Sequence, residues 1–314
     1  MTLAERLPAS ILGGDPFNQF RCLYRRELLW KLFDEEYALS VMKAYYDAGG
    51  RAYDLSFEEN TRPFRSLLEW ADEPLIGFGN PSWEQGVFLN GRYLQYSRDR
   101  ILRTLVDRLF PRPIARLVQE KLSKDDVLVF GYDPEARPMT DEEIASISLN
   151  EEACTRRLSI FKDCRYILMG GSDADWLVSL GRLDLVAAMA AQIRQQGWIP
   201  LLLCQYASLV VPAVEAYGVD VAGYAVPLNR EWSWFDRDAC LEAVKGVQKP
   251  VIAFMPLASG GLRADVRGAL DWLFGEAGVE TVLFGTATPE HAAHTAQVAQ
   301  AARDAADQLR QQTK

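Results

Sequence analysis

Short runs of aliphatic and β-branched residues recur along the chain, and each ends in a glycine or a polar residue. The runs are apolar throughout, which is typical of strands that are buried on both faces of a parallel sheet. Stretches with helical amphipathic spacing separate them. The predicted strands are Ile11–Gly14, Ala52–Ser56, Leu75–Gly79, Val127–Tyr132, Tyr166–Gly170, Pro200–Gln205, Val221–Pro227, Val251–Pro256 and Thr281–Gly285. The predicted helices are Glu36–Ala48, Arg98–Lys121, Leu183–Gln196, Leu209–Ala216, Arg237–Val244, Arg263–Glu276 and Pro289–Gln308.

This alternation predicts an α/β fold of repeated βαβ units, which we interpret as a (β/α)8 TIM barrel in a single domain over residues 1–314. A doubly wound open sheet is the alternative, but its first turn is usually GxGxxG, and ILGGDP does not match that pattern. Because nine candidate strands compete for eight positions, we assign Leu75–Gly79 to an insertion after strand 2. Asn90-Gly91 predicts a β-hairpin in that insertion. The polar residues 302–314 are predicted to be a frayed tail.

Composition and charge narrow the class of partner. The hydrophobic fraction of 49% and the charged fraction of 25% are those of a globular protein. A net charge of −9 repels a phosphate backbone, so we expect no nucleic-acid partner. The start of the chain lacks a signal-peptide pattern and no apolar run reaches about 18 residues, so we expect a cytoplasmic protein without a membrane partner. The five cysteines are widely spaced and predict free thiols. The oligomeric state is not predicted.

Four stretches of the chain are similar, in the same order, to the aldo/keto reductase superfamily. ALSVMKAYYDAGGRAYDLS resembles the family's first helix and second strand, and EEACTRRLSIFKDCRYILMGGSDAD resembles strand 4 with the helix before it. VIAFMPLASGGL resembles strand 7 and its loop, and ALDWLFGEAGVETVLFGTATPEH resembles the last helix, strand 8 and the phosphate-binding turn. The resemblance implies a TIM barrel and, in the family, NADPH-dependent carbonyl reduction by a tetrad of Asp, Tyr, Lys and His.

The sequence departs from this tetrad at three positions. Asp54 stands where the resemblance places the aspartate, and Glu59 where it places the tyrosine. Tyr132 stands where we place the lysine, and Gly171 where we place the histidine. In the family the tyrosine donates a proton to the carbonyl oxygen and the lysine lowers the tyrosine pKa, so ordinary carbonyl reduction is not supported. Tyr132 is the candidate for a relocated proton donor.

Two loops near the C-terminus are candidate cofactor-binding loops. Glycine lets a backbone approach a ligand closely, and free N–H groups with a helix dipole favour a phosphate. Thr288 is the predicted N-cap of a helix that starts at Pro289. The alternative is a plain helix cap after a tight turn. The predicted residues are Ser259, Gly260, Gly261, Gly285, Thr286 and Thr288.

Polar residues follow several predicted strands, and in a barrel these positions converge on one face. They are Asp15, Asp54, Glu58, Glu59, Asp133, Asp173, Asp175, Gln205 and Asn229. Crowded carboxylates raise one another's pKa, so one can act as a general acid and another as a base. The alternative is that they only end strands and cap helices. The catalytic candidates are Asp54, Glu59, Tyr132 and Asp133.

The segment NREWSWFDRD predicts a lid or a stacking platform over a ligand, and its alternatives are a satellite core and a subunit contact. The candidate substrate-binding residues are Gln205, Asn229, Trp232 and Trp234.

We therefore expect a small-molecule enzyme that acts on a phosphorylated or carboxylated metabolite, an anionic ligand, by carboxylate acid/base chemistry. A divergent NADP-dependent oxidoreductase and a non-catalytic ligand-binding or scaffold barrel are the alternatives. NADP, or Mg²⁺ or Mn²⁺ bound by oxygen ligands, is compatible with the sequence, but no specific metal ligand is predicted.

Overall fold

The computed structural model describes residues 6–17, 34–56, 58–81, 84–109, 111, 113–115, 133, 136–233 and 236–312, without the side chains of residues 58 and 59. The strands in chain order are β1 (Ser10–Gly13), β2 (Ala52–Leu55), β3 (Ile76–Gly79), β4 (Val87–Leu89), β5 (Arg92–Tyr93), β6 (Ser148–Leu149), β7 (Tyr166–Gly170), β8 (Ile199–Leu203), β9 (Tyr224–Pro227), β10 (Val251–Phe254) and β11 (Thr281–Gly285). Eight of them form a closed parallel barrel in the order β1-β2-β3-β7-β8-β9-β10-β11. The predicted TIM barrel is therefore confirmed.

Helices follow the barrel strands, as the periodicity predicts. They are α1 (Glu35–Asp47), α2 (Glu58–Trp70), α3 (Arg98–Leu109), α4 (Asp141–Ala145), α5 (Glu151–Leu158), α6 (Ser172–Ser179), α7 (Leu183–Gln195), α8 (Ala207–Tyr217), α9 (Arg237–Gly246), α10 (Val266–Asp271) and α11 (Pro289–Gln312). Helix α10 continues into one π-helical turn, Trp272–Glu276. None of the described helices combines the length and the apolar character that crossing a bilayer requires.

The predicted frayed tail is instead the last part of α11. Ala302, Arg303 and Ala306 are buried there. The Arg303 guanidinium donates to the Leu7 carbonyl and to Glu280, so a polar residue in this stretch ties the helix to the barrel. Residues 302–312 are thus helical, and their buried apolar positions are alanines, which contribute little to a hydrophobic pattern; fraying of this end stays a prediction.

The assignment of Leu75–Gly79 to an insertion is also wrong, because β3 is the third barrel strand. Phe78 of β3 aligns with Asp54 of β2 on one side and with Tyr166 of β7 on the other. The apolar pattern of this strand is weak because two of its four residues are glycines. A Cβ on Gly79 would lie 2.6 Å from Cγ of Phe161, so close packing requires glycine there. The competing candidate, Val127–Tyr132, lies outside the described residues.

The insertion follows the third strand, not the second, and contains the predicted hairpin. Strands β4 and β5 pair in antiparallel fashion, and β6 pairs with the other edge of β4. Asn90 and Gly91 at the turn have φ values of 49° and 75°, which a tight hairpin turn of this kind requires. Gln85, just before β4, joins the insertion to the barrel: its side chain makes two hydrogen bonds of 2.8 Å to the backbone of Gly170. Arg182 adds bonds to the carbonyls of Ile144, Ala145 and Ile147.

Large apolar side chains fill the interior of the barrel. They include Ile11, Ala52, Phe78, Tyr166, Leu168, Ile199, Leu201, Ala225, Ile252 and Phe254. The rings of Phe78 and Tyr166 stack with their centroids 4.7 Å apart. Side chains alternate between the two faces of a strand. Asp54 is therefore on the same inner face as Ala52, one layer nearer to the mouth, by which we mean the carboxyl-terminal ends of the barrel strands.

Candidate functional site

The Asp54 carboxylate lies at the mouth and is only 3% exposed. Its Oδ2 accepts a hydrogen bond from the Ser56 hydroxyl at 3.2 Å and a longer one from the Gly14 N–H at 3.4 Å. Its Oδ1 is buried and has no hydrogen-bond partner among the described residues. A buried acceptor without a donor costs free energy, so it marks a place where a ligand can supply the donor.

The pKa of Asp54 is raised from 3.8 to about 7, mainly by burial and secondly by the nearby negative charge of Asp15. The Gly14 N–H and the side chains of Asn80 and Ser56 hydrogen-bond to the carboxylate and act in the opposite direction. Desolvation prevails over these hydrogen bonds because all three donors are neutral. At neutral pH both the protonated and the ionised forms of Asp54 are therefore populated.

The neutral neighbour Asn80 changes the comparison with the reductase tetrad. With β3 as the third strand, the lysine position belongs to Asn80, directly after that strand, and not to Tyr132. No lysine charge is present there to keep Asp54 ionised. Gly171, at the histidine position, has a φ of 57°, and a Cβ on it would meet only Leu203 Cδ2, at 3.7 Å. Glu59 lies in the first turn of α2.

Asp15 and Ser56 complete a small polar cluster around Asp54. The Ser56 hydroxyl, which is fully buried, lies 3.2 Å from Oδ2 of Asp54 and 3.4 Å from Oδ1 of Asp15. Asp15 begins a short 3-10 turn after β1 and is only half-buried. Asn60 fastens the neighbouring backbone by donating from its side chain to the Gly14 carbonyl at 3.0 Å. The cluster thus joins a buried carboxylate to a more accessible one.

Two further buried carboxylates lie in the first turn of α6, directly after β7. Burial alone raises the pKa of Asp173 to about 7. Burial also raises the pKa of Asp175 to about 7, although its carboxylate accepts the backbone N–H groups of Gln205 at 3.0 and 3.1 Å and of Tyr206 at 3.2 Å. Asp175 therefore fixes the loop after β8. In that loop Oε1 of Gln205 is buried without a hydrogen-bond partner among the described residues.

The catalytic candidate Asp133 does not follow a barrel strand. We placed Tyr132 and Asp133 at the end of the third strand, and that placement is wrong because β3 fills the position. Tyr132 lies outside the described residues. Asp133 belongs to the insertion between β3 and β7, where it is exposed and its carbonyl accepts the N–H of Ala136.

The loop after β9 is held by the Asn229 side chain. This residue is fully buried, and its Oδ1 accepts the N–H groups of Glu231 and Trp232 at 3.0 and 2.9 Å. Its Nδ2 donates to the Met255 carbonyl at 3.3 Å. Trp232 packs in a small cluster against the loop after β10, an arrangement that the satellite-core alternative anticipates. Trp234 lies outside the described residues, and contact of these residues with substrate stays a prediction.

The loop after β10 has an unusual backbone. Met255, Ala258 and Ser259 have φ values of 55°, 50° and 54°, which non-glycine residues rarely adopt. The N–H of Gly260 donates to the Leu257 carbonyl at 2.8 Å, and that of Gly261 to the Ala258 carbonyl at 3.0 Å. These two N–H groups, which we expected to be free for an anion, are thus used within the loop.

The same loop does not fit a dinucleotide phosphate, the group that the reductase fold implies. Besides the two engaged N–H groups, a carboxylate oxygen of Glu231 lies 3.5 Å from where a Cβ of Gly261 would be. A negative charge at that position repels a phosphate.

Two threonine hydroxyl groups cap backbone N–H groups in the turn between β11 and α11, and anion binding there stays a prediction. The Thr288 hydroxyl accepts the N–H of His291 at 3.4 Å, as the predicted N-cap requires, and the Thr286 hydroxyl accepts the N–H of Thr288 at the same distance. A Cβ on Gly285 would lie 3.0 Å from Cγ of Pro16, so the loop after β1 approaches this turn closely. Tyr37 of α1 donates to the Ala287 carbonyl at 2.8 Å.

Among the described residues, no group of three or more His, Cys, Asp or Glu side chains is placed to hold a metal ion. The carboxylates at the mouth are instead arranged around hydroxyl and N–H donors. The use of Mg²⁺ or Mn²⁺ stays a prediction.

Ser56 and Asn80 are the site residues that the sequence analysis missed. The sequence does contain a signal for Ser56, because it follows Asp54 by two positions and therefore lies on the same face of the strand. Asn80 was missed because the strand before it was assigned to the insertion.

Comparison with known proteins shows the fold. No protein-family model matches the sequence, and no curated protein is significantly similar to it. A solved structure of a putative aldo-keto reductase from Pseudomonas aeruginosa is 15% identical, with a TM-score of 0.54, over 94% of this chain and 90% of that one. A thermostable aldo-keto reductase, solved with the inhibitor epalrestat, is 14% identical, with a TM-score of 0.50, over 98% and 97% of the two chains. The protein therefore has an aldo/keto-reductase-like TIM barrel.

Proposed function

We propose that this protein is a small-molecule enzyme in which Asp54 transfers protons at the mouth of the barrel. One observation carries the proposal: the buried carboxylate has an unpartnered Oδ1 and a pKa of about 7. A general acid or base works best when its pKa lies near the working pH. Perturbed carboxylates in barrel mouths are common at active sites.

The chemistry follows from the two oxygens of Asp54. Ser56 and the Gly14 N–H hold Oδ2, so Oδ1 is the oxygen left for the substrate. The ionised carboxylate takes a proton from a substrate carbon or hydroxyl that lies next to a carbonyl group, and the protonated form returns it elsewhere on the same molecule. Isomerases and many lyases use such a step, and in a hydrolase the same carboxylate takes its proton from the attacking water instead.

The substrate is a phosphorylated or carboxylated metabolite. We assign its anionic group to the turn between β11 and α11, where Thr286 and Thr288 offer hydroxyl groups and the helix dipole favours a negative charge. The engaged N–H groups of Gly260 and Gly261 make the loop after β10 the weaker choice. Gln205, whose Oε1 lacks a described partner, is suited to accept a hydrogen bond from the substrate.

The NADP-dependent alternative has less support. Glu59, Asn80 and Gly171 stand at the tyrosine, lysine and histidine positions of the reductase tetrad. The non-catalytic alternative predicts that replacement of Asp54 changes no reaction, whereas the enzyme proposal predicts loss of proton transfer.

The test combines binding with proton exchange. Thermal-shift measurements with sugar phosphates, phosphorylated hydroxy acids, inorganic phosphate and NADPH identify the bound class, because a ligand at a hundredfold excess over Kd stabilises by about 2.7 kcal/mol. Each compound that binds is then incubated in D2O, and incorporation of deuterium is followed by proton NMR. We expect exchange with the wild type and none with Asp54→Asn. A shift with NADPH alone would favour the reductase alternative. Equal exchange by both proteins would refute the role of Asp54.

A further inference from the structure

The Ser56 hydroxyl connects two carboxylates that differ in accessibility. It lies within hydrogen-bonding distance of both Asp54, at 3.2 Å, and Asp15, at 3.4 Å. Asp54 and Ser56 are buried, whereas Asp15 is half-buried on the loop after β1. The three side chains therefore form a continuous polar path from the interior of the site toward the solvent.

This path addresses a requirement of the proposed reaction. When a substrate occupies Oδ1 of Asp54, that oxygen has no access to water. Oδ2 faces Ser56 and the Gly14 N–H, so a proton can leave or reach the carboxylate only on the side of Ser56. Two other described groups near Asp54 cannot carry the proton in place of Ser56. Asn80, directly after β3, is a neutral amide. Cys164, before β7, is a buried thiol whose raised pKa keeps it protonated.

We propose that Asp15 is the second acid/base carboxylate of the site and that it exchanges a proton with Asp54 through the Ser56 hydroxyl. This inference rests on the proposed function of Asp54. In one direction the carboxyl group of Asp54, protonated by the substrate at the oxygen that faces it, turns about the Cβ–Cγ bond so that the protonated oxygen faces Ser56. That proton then moves to Oγ of Ser56 while the hydroxyl proton of Ser56 moves to Oδ1 of Asp15. Two O–H bonds break and two form, Ser56 is unchanged, and the pair of carboxylates keeps one shared proton throughout.

The position of Asp15 is fixed well enough for this role. The turn that it begins is closed by the N–H of Phe17, which donates to the Gly14 carbonyl at 2.9 Å. Pro16 lies close to Gly285 at the end of β11, so the loop contacts the neighbouring barrel strand. Asp15 is thus held beside Ser56 by the barrel itself.

The first test reads the coupling without any turnover. In protein labelled with ¹³C at the aspartate carboxyl carbon, the titration of the Asp54 resonance reports the effect of the neighbouring Asp15 charge. Asp15→Asn removes the neighbouring charge, so we expect the apparent pKa of Asp54 to fall. The matched control, Asp72→Asn on the exposed surface, should leave that titration unchanged. An unchanged titration of Asp54 in Asp15→Asn would overturn the pairing.

The second test uses the D2O exchange reaction. Ser56→Ala breaks the path, and we expect exchange to slow by about ten- to hundredfold. Ser56→Thr keeps a hydroxyl and should restore the rate, and high concentrations of formate or imidazole should partly rescue Ser56→Ala by carrying the proton. A full rate in Ser56→Ala, or a slow rate that neither change restores, would overturn the relay. The function of Asp54 fails separately, through full exchange by Asp54→Asn.

Discussion

Replacing Asp54 by asparagine is expected to make the folded protein more stable at neutral and alkaline pH. The folded state raises the pKa of this carboxyl from 3.8 to about 7, mainly by burial. A raised pKa means that folding favours the protonated form, so the stability that this group contributes is complete below pH 3.8 and is lost as the pH rises through 7. An asparagine resembles the protonated carboxyl and does not ionise.

The magnitude follows from the size of the shift. A shift of about three pH units at about 1.36 kcal/mol per unit gives a cost near 4 kcal/mol once the pH exceeds 7. Between pH 5 and pH 8 the advantage of Asp54→Asn over the wild type should widen by about 2.5 kcal/mol. In a chain of 314 residues, this difference corresponds to a rise in Tm of roughly 5 °C.

Urea unfolding at pH 5, 6.5 and 8, with a Tm series in the same buffers, measures this difference. The comparison must be made variant against wild type at each pH, because Asp173 and Asp175 also have raised pKa values and lower the stability of both proteins as the pH rises. The exposed Asp72→Asn variant is the matched control and should follow the wild type. A constant difference between Asp54→Asn and wild type from pH 5 to pH 8, or a variant that is less stable at pH 8, would show that Asp54 ionises normally in the fold.

Three further predictions concern groups around the site and the insertion. Asn80→Lys should bring the pKa of Asp54 down below neutrality by supplying a positive charge, which carboxyl ¹³C NMR detects, whereas Asn80→Met should not. Gln85→Ala should destabilise the protein by about 2–4 kcal/mol in urea unfolding, because it leaves the buried N–H and carbonyl of Gly170 without their partners; unchanged stability would mean that water replaces the amide. Arg182→Ala should cost about 2–3 kcal/mol and speed hydrogen exchange in α4, since its guanidinium holds two carbonyl groups of that helix and the carbonyl of Ile147, two residues after its end.

The barrel could be predicted from the sequence because its strands are buried on both faces and therefore appear in the sequence as apolar runs. The third strand could not be predicted in this way. Its two glycines are needed for close packing against Phe161 and Cys164, which are far away in the sequence. Val127–Tyr132 has the stronger pattern, but pattern alone does not say which strand neighbours which. Because this strand was assigned wrongly, the lysine position of the reductase tetrad was predicted at Tyr132 and not at Asn80.

The position of Asp54 was predictable, but its chemistry was not. A carboxylate at the end of a barrel strand is visible in the pattern. Its pKa depends on burial and on Asp15, Gly14 and Asn80, which follow two other barrel strands. Likewise, the glycines after β10 suggested free N–H groups, and only the backbone conformation of the loop shows that the loop uses them itself.

The long connection between β3 and β7 divides the barrel into two parts along the chain. Strands β1 to β3 come before the insertion and β7 to β11 after it, and within the barrel sheet these two groups of strands pair with each other as β3–β7 and β1–β11. The other neighbouring pairs join barrel strands that are closer to each other in the sequence, so their pairing costs less loop-closure entropy than these two pairs do. We therefore expect a backbone break within the insertion to leave two fragments of three and five strands that reassemble when co-expressed. If so, the protein can be split within the insertion into two fragments, and any signal that depends on the closed barrel is restored when the fragments associate.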